Sequence, residues 1–199
     1  MSDTIKTSDL DKAFRDEVLT EPGAEKLILC FNCTGCTAGC TMAEHEPNYN
    51  IRQLLRMANL GMRDELLNHP YLWNCTTCYK CQERCPQGVP NVDILLKIRT
   101  MAVHSGIMLD NHRKVAQLMA KTGHAVPIND DNKEKRKKLG MNELPETVHN
   151  YPDALEEVHK IVKVTGFDKL TEAQSWANYH SSSVALHRTG ILESRKQQR

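Results

Sequence analysis

Aromatic residues are scarce in this chain, at 5% of its 199 positions. Alternation of β-branched and polar residues is scarcer still, so nothing patterns as a sheet-based core. No window approaches the ~20 consecutive apolar residues of a membrane span. The opening residues, Met1 to Asp9, are polar and lack the apolar stretch of a secretory signal. No sign of charge dominates either. The 26 basic and 25 acidic residues leave a formal net charge of +1, which gives no reason to expect nucleic acid or a membrane surface as partner. A Gly-rich phosphate loop is missing, and so is a nucleophile beside a recognisable base. These absences lead to the expectation of an all-α, cytoplasmic protein that has no substrate site of its own.

Cysteine is absent from most of the chain as well, because all eight lie in two stretches that read alike. The first runs Cys30-Phe31-Asn32-Cys33-Thr34-Gly35-Cys36-Thr37-Ala38-Gly39-Cys40. The second runs Cys75-Thr76-Thr77-Cys78-Tyr79-Lys80-Cys81-Gln82-Glu83-Arg84-Cys85-Pro86. Both follow C-x2-C-x2-C-x3-C, the spacing that holds iron–sulfur clusters, with the fourth cysteine crossing to the other cluster when two are present. Two [4Fe–4S] clusters are therefore expected. One would be held by Cys30, Cys33, Cys36 and Cys85, the other by Cys75, Cys78, Cys81 and Cys40.

The chemistry asks for this pattern. Each of a cube's four irons takes one soft thiolate. Three cysteines at three-residue steps wrap three corners, and the fourth corner must be served from elsewhere. Gly35 and Gly39 are expected to let the backbone come close, through positive φ and the missing Cβ. Pro86 fixes φ after the last ligand, whereas Thr41 stands where the first motif would have its matching proline. Zinc knuckles use separated cysteine pairs and have no use for a third three-step ligand. Disulfides do not suit cysteines so closely spaced in a reducing compartment. The nine histidines are solitary, and the eight cysteines already fill eight cluster positions, so His45 and His69 are not assigned as ligands.

Around the motifs the chain reads as helices. Ser8 is the expected N-cap of a first helix carrying Leu10, Phe14, Val18 and Leu19. Leu27-Ile28-Leu29 is expected to pack beside the first cluster loop. Asn50, with Gln53 three residues on, starts a helix bearing Ile51, Leu54, Leu55 and Ala58, and Gly61 stops it. A short helix over 63–68 precedes Pro70. Another runs from Val92 to Ser105, with Val92, Leu95, Leu96, Ala102 and Val103 as one stripe and Ile94, Ile98 and Met101 widening it. Asp110 is the expected cap of a helix with Val115, Leu118 and Met119 inward, ended by Gly123. Residues 129–138 read as a solvated, charged loop. Asp153 caps a last helix, about 153–165, with Leu155, Val158, Ile161 and Val162 on its apolar face. Residues 171–199 are polar, with Trp176 and Tyr179 the only large aromatics. The expected organisation is an N-terminal helix over 1–23, a helical ferredoxin domain over 24–124, and a C-terminal extension over 125–199 that docks on partner subunits.

The run from Tyr71 to Val89, two cluster motifs on a helical scaffold, and Thr165-Gly166-Phe167-Asp168 within 147–170 resemble the C component of heterodisulfide reductase from methanogens. The resemblance implies a small electron relay in methanogenesis. The family's A component, with FAD and iron–sulfur clusters, would supply electrons. Its B component would receive them to reduce the mixed disulfide of coenzyme M and coenzyme B, and an associated hydrogenase would complete one form of the assembly. The B component of that family carries adjacent cysteines at its disulfide site. This chain has none, so it is not expected to bind the disulfide. Two other readings are an iron–sulfur subunit of a glycolate, glycerol-3-phosphate or fumarate-type enzyme, and a structural interaction protein stapled by metal.

Overall fold

Helices make up all the regular structure in the computed structural model, which describes residues 6–172, and no strand forms among them. Trp176 and Tyr179 lie outside the described residues. Two compact units divide the chain between Ser105 and Gly106.

In the first unit, α1 spans Lys12–Val18. Its cap is Asp11, whose carboxylate accepts from the Phe14 N–H at 3.0 Å, and not Ser8, which falls in a 3₁₀ turn over Thr7–Asp9. Phe14 and Val18 are fully buried as expected. A second 3₁₀ turn, Ala24–Leu29, leads to the first cysteine loop. Here three residues complete a turn, so Ala24 and Leu27 share the buried side. Of the run expected to pack beside the first cluster loop, Leu27 is buried, while Ile28 and Leu29 are 60% and 54% exposed.

The first motif ends in two short helices, α2 (Gly35–Ala38) and α3 (Thr41–His45). Helix α4, Ile51–Leu60, then forms as its cap and apolar spacing require. Asn50 Oδ1 accepts from the Gln53 N–H at 3.1 Å, and Ile51, Leu54, Leu55 and Ala58 are buried. Gly61 stops it at φ 76°, and its carbonyl accepts from the Asp11 N–H at 2.8 Å. Helix α5 (Arg63–Leu67) and a 3₁₀ turn over Pro70–Trp73 bring the chain to the second motif.

That motif holds α6 (Lys80–Glu83) and is followed by α7, Asn91–His104. Helix α7 packs against α1, α4, α5, α6 and the Pro70–Trp73 turn. With neighbours on so many sides its buried face is wide. Ile94, Ile98 and Met101 lie at its centre together with Val92, Leu95 and Ala102, whereas Leu96 is 37% exposed and Val103 only half-buried. Full burial of such aliphatic side chains contributes about 1.5–3 kcal/mol each.

The second unit contains α8 (Asp110–Thr122), α9 (Asp130–Lys138), α10 (Pro152–Thr165) and α11 (Phe167–Glu172). Helix α8 packs on α10 and α11, so residues 106–124, expected with the cluster domain, group with the following helices. Asp110 is the first residue of α8 and makes no cap bond. Arg113, not the expected apolar stripe, turns inward: its guanidinium donates to the carbonyls of Leu170, Thr171 and Gly106 at 3.3–3.4 Å. Val115 and Met119 are 48% and 44% exposed. The charged stretch 130–138 is a helix rather than a loop, because Asn129 Oδ1 accepts from the Asn132 N–H at 3.0 Å and caps it. On α10, Pro152 at the first turn replaces the cap expected from Asp153.

Gly61 gives the sharpest test of the first unit. A Cβ there would run into the Asp11 carbonyl while the backbone sits at φ +76°. Gly61→Ala is expected to destabilise by about 2–4 kcal/mol, read as a lowered Tm of the anaerobically prepared protein.

Candidate metal centre

The two cysteine motifs fold as copies of one another. Each enters from a 3₁₀ turn and presents its first two cysteines on a loop. Its third cysteine sits on a one-turn helix, Cys36 on α2 and Cys81 on α6. Among the described residues, the non-glycine positions with positive φ are Asn32 (60°), Thr34 (68°), Thr77 (54°) and Tyr79 (61°). They occupy the same two places in both motifs, immediately before and after the second cysteine. For β-branched threonine and bulky tyrosine this backbone region is unfavourable, at roughly 1–3 kcal/mol each. Strain repeated in register marks a loop shaped for a purpose other than its own stability.

The glycines do a different job from the one expected. Gly35 is helical, and Gly39 has φ −100°, so neither uses the left-handed region. Gly39 lies against the second motif instead: a Cβ there would stand 2.5 Å from the Arg84 guanidinium, which would have to move aside. Arg84 belongs to the second motif, and α2 packs directly on α6. The two loops are thus interlocked.

This interlocking gathers thiols from both motifs. Cys40, Cys75, Cys78 and Cys81 line one hollow, together with Met42, Tyr49, Ile51, Thr76, Tyr79 and Val92. Cys81 is buried. Burial, followed by its neighbours Cys75, Cys36, Cys40 and Cys78, pushes its thiol up to about 12. The Lys80 N–H holds Cys78, on the exposed rim, below the ordinary thiol range, helped by the hydroxyls of Thr76 and Thr41. Thr41 thus reaches a second-motif cysteine from the place where a proline is missing. On the other side Cys36 is raised, mainly by burial and partly by Cys30. The Arg84 carbonyl, one residue before Cys85, lies 3.8 Å from where a Gly35 Cβ would stand. Among the described residues no three His, Cys, Asp or Glu side chains gather around a single-ion site. The hollow instead gathers thiols from both motifs, as a cube that takes one thiolate on each of its irons requires.

Backbone and side-chain bonds hold the sulfurs in place. The Thr77 N–H donates to Cys75 Sγ at 3.4 Å, and the Val89 N–H to Cys85 Sγ at 3.3 Å. Arg99, from α7, donates to the carbonyls of Leu72 (3.0 Å) and Cys75 (2.9 Å), with its guanidinium over the Trp73 ring. Asn91 Nδ2 donates to the buried Cys81 carbonyl at 2.9 Å. Gln82 accepts from the Val92 N–H and donates to Asp93, which also accepts from the Tyr79 hydroxyl. In the first motif the Thr37 hydroxyl donates to Asn50 Oδ1 at 3.1 Å. Reading the sequence did not single out Tyr49, Asn91, Arg99 or Thr37 for the site. Nothing in their local pattern separates them from caps and surface residues. Of the histidines, His69 accepts the Tyr71 N–H on Nδ1 at 3.3 Å, and burial lowers its pKa.

Four thiols around one hollow, the buried Cys81 raised by burial and then by its neighbours, form a site suited to a positively charged, thiophilic group. The residues present fit an iron–sulfur cluster. Fold and site together define an all-α, helical ferredoxin-like iron–sulfur protein. A family model described as a 4Fe-4S dicluster domain matches residues 26–89, which span both motifs. The chain is 46% identical over 166 residues to the C component of the H(2):CoB-CoM heterodisulfide,ferredoxin reductase of Methanothermobacter thermautotrophicus, covering 83% of this chain and 89% of that one. It is 44% identical over 173 residues to the iron–sulfur C component of the CoB--CoM heterodisulfide reductase of Methanopyrus kandleri, covering 83% and 90%. It is 43% identical over 154 residues to the C component of the ferredoxin:CoB-CoM heterodisulfide reductase of Methanosarcina mazei, covering 77% and 94%. The chain belongs to the family of heterodisulfide reductase C components, iron–sulfur subunits of an oxidoreductase complex.

Asn91 offers a test of how the second loop is supported. Asn91→Ala leaves the Cys81 carbonyl buried and unpaired, at a cost of about 1–3 kcal/mol. The expected result is a lowered Tm of the anaerobically purified protein.

Proposed function

We propose that this chain is the electron-relay subunit of a cytoplasmic heterodisulfide reductase. It accepts electrons from a flavin- and cluster-bearing A component and passes them to a B component that reduces the coenzyme M–coenzyme B heterodisulfide, with a hydrogenase as an associated source. Cys30, Cys33, Cys36 and Cys85 would hold one [4Fe–4S] cluster, and Cys75, Cys78, Cys81 and Cys40 the other. When bound, such clusters supply one-electron carriers whose potentials depend on hydrogen bonds to sulfur, local charge and exposure. The chain's own residues contribute ligation, orientation and shielding, and catalyse no bond chemistry.

The observation that carries this reading is that Cys40 of the first motif shares a hollow with Cys75, Cys78 and Cys81 of the second. Crossed ligation would tie the two loops into one rigid shell, which suits transfer between fixed carriers. No helix among the described residues is long and apolar enough to cross a membrane. The C-terminal extension docks on partner subunits in this proposal. What supports docking is apolar surface left uncovered on α10, where Ile161 is 61% and Val164 88% exposed.

Ligation is tested by substitution. Cys40→Ser is expected to damage the cluster of the second motif, and Cys85→Ser that of the first. Each should cost about half of the iron and acid-labile sulfide, with the affected cluster identified by electron paramagnetic resonance of the reduced protein. If each substitution perturbs only its own motif's cluster, crossed ligation is refuted. Docking is tested by Ile161→Asp with Val164→Asp, both already solvent-facing. Copurification of the A and B components is expected to fall about tenfold while the iron content stays unchanged.

A further inference from the structure

Tyr49 is the one large side chain on the hollow's wall that is both fully buried and carries a polar group, at 1% exposed. Its hydroxyl has no hydrogen-bond partner at full geometry among the described residues. A buried hydroxyl left unpaired costs about 1–3 kcal/mol, and phenylalanine would fill the same space without that cost. The hollow's wall brings Tyr49 together with Cys40, Cys75, Cys78 and Cys81, and Cys75 is the sulfur that acts on the phenol most strongly. Burial, then the sulfurs of Cys75, Cys40 and Cys81, push the Tyr49 phenol far above its ordinary pKa. A phenol keeps its proton throughout the physiological range in any case, so the group is an O–H donor.

The internal repeat isolates this hydroxyl. Tyr49 lies one residue before Asn50, the cap of α4. The matching place before α7, one residue ahead of Pro90, is Val89. Both are fully buried. Val89 stands at Cys85 and offers it a backbone N–H, with only methyl groups beyond. Tyr49 shares the hollow's wall with Cys40, the counterpart of Cys85, and brings a hydroxyl. At these matching places the two halves of the repeat differ in a buried hydroxyl, present at Tyr49 and absent at Val89.

We propose that Tyr49 sets the reduction potential of the cluster held by Cys75, Cys78, Cys81 and Cys40, by donating its hydroxyl hydrogen bond to sulfur on the Cys75 side of the hollow. The inference rests on that ligand assignment. Reduction adds negative charge that is shared by the sulfurs, so a donor aimed at them stabilises the reduced form more than the oxidised form and raises the potential. The cluster of the first motif lacks this donor and is unaffected.

The test is a redox titration of the anaerobic wild type and Tyr49→Phe, followed by electron paramagnetic resonance, with iron and sulfide measured on the same samples. The expected result is unchanged iron and a one-electron reduction equilibrium about tenfold less favourable for one cluster, about 59 mV, with the other cluster unmoved. Unchanged potentials at full iron content would overturn the inference and leave the ligand assignment standing. If the shifted signal is the one lost in Cys85→Ser rather than in Cys40→Ser, the ligand assignment itself fails. Should Tyr49→Phe not retain its iron, fluorotyrosine at position 49 keeps the side chain in place and makes it a stronger donor. The same cluster's potential must then rise, and a potential that does not move overturns the proposal.

Discussion

Thiol crowding is the interaction on which the first unit depends. Cys40, Cys75, Cys78 and Cys81 surround one hollow, and Cys36 lies near enough to add to the burden on Cys81. Burial drives the Cys81 thiol up first, and the neighbouring sulfurs add to it, because thiolates in a partly buried site repel one another. A thiophilic cation reverses that repulsion, because a coordinated thiol gives up its proton. Binding and folding would then be coupled, because a group held by thiols of both motifs would tie together two loops 45 residues apart in the chain.

The strained backbone has the same origin. Thr34, Thr77 and Tyr79 hold left-handed conformations that their side chains disfavour. The surrounding bonds compensate: Arg99 grips two carbonyls of the approach to the second loop, and Asn91 satisfies the carbonyl of Cys81. The second motif is more heavily tied to its following helix than the first, since α7 supplies Asn91, Asp93 and Arg99 whereas α4 offers Asn50. The two loops share a backbone path but sit in different polar surroundings.

Much of the helix plan was legible because caps and apolar spacing are local. Asn50, Gly61, Gly123 and Gly166 each bound a helix as their positions suggested. The misreadings share a cause. Ser8 and Asp153 have the chemistry of N-caps, but Asp11 and Pro152 take the first turns. Val115 and Met119 have apolar spacing, yet the carbonyls of α11 draw Arg113 inward in their place. Helix-period patterns name a face, and only the neighbours decide whether that face is covered.

Sequence by itself determined the class of chemistry. Eight cysteines in two C-x2-C-x2-C-x3-C runs specify soft ligands at a spacing that belongs to iron–sulfur cubes, and ligand type and spacing are properties of the linear chain. Tertiary structure alone decided that Cys40 shares a hollow with the second motif, that Gly39 lies against Arg84, and that the buried Tyr49 joins the same wall. Each of these is a contact between residues far apart in the chain, or with a surface that exists only once α2 and α6 have packed. No local pattern encodes such a meeting.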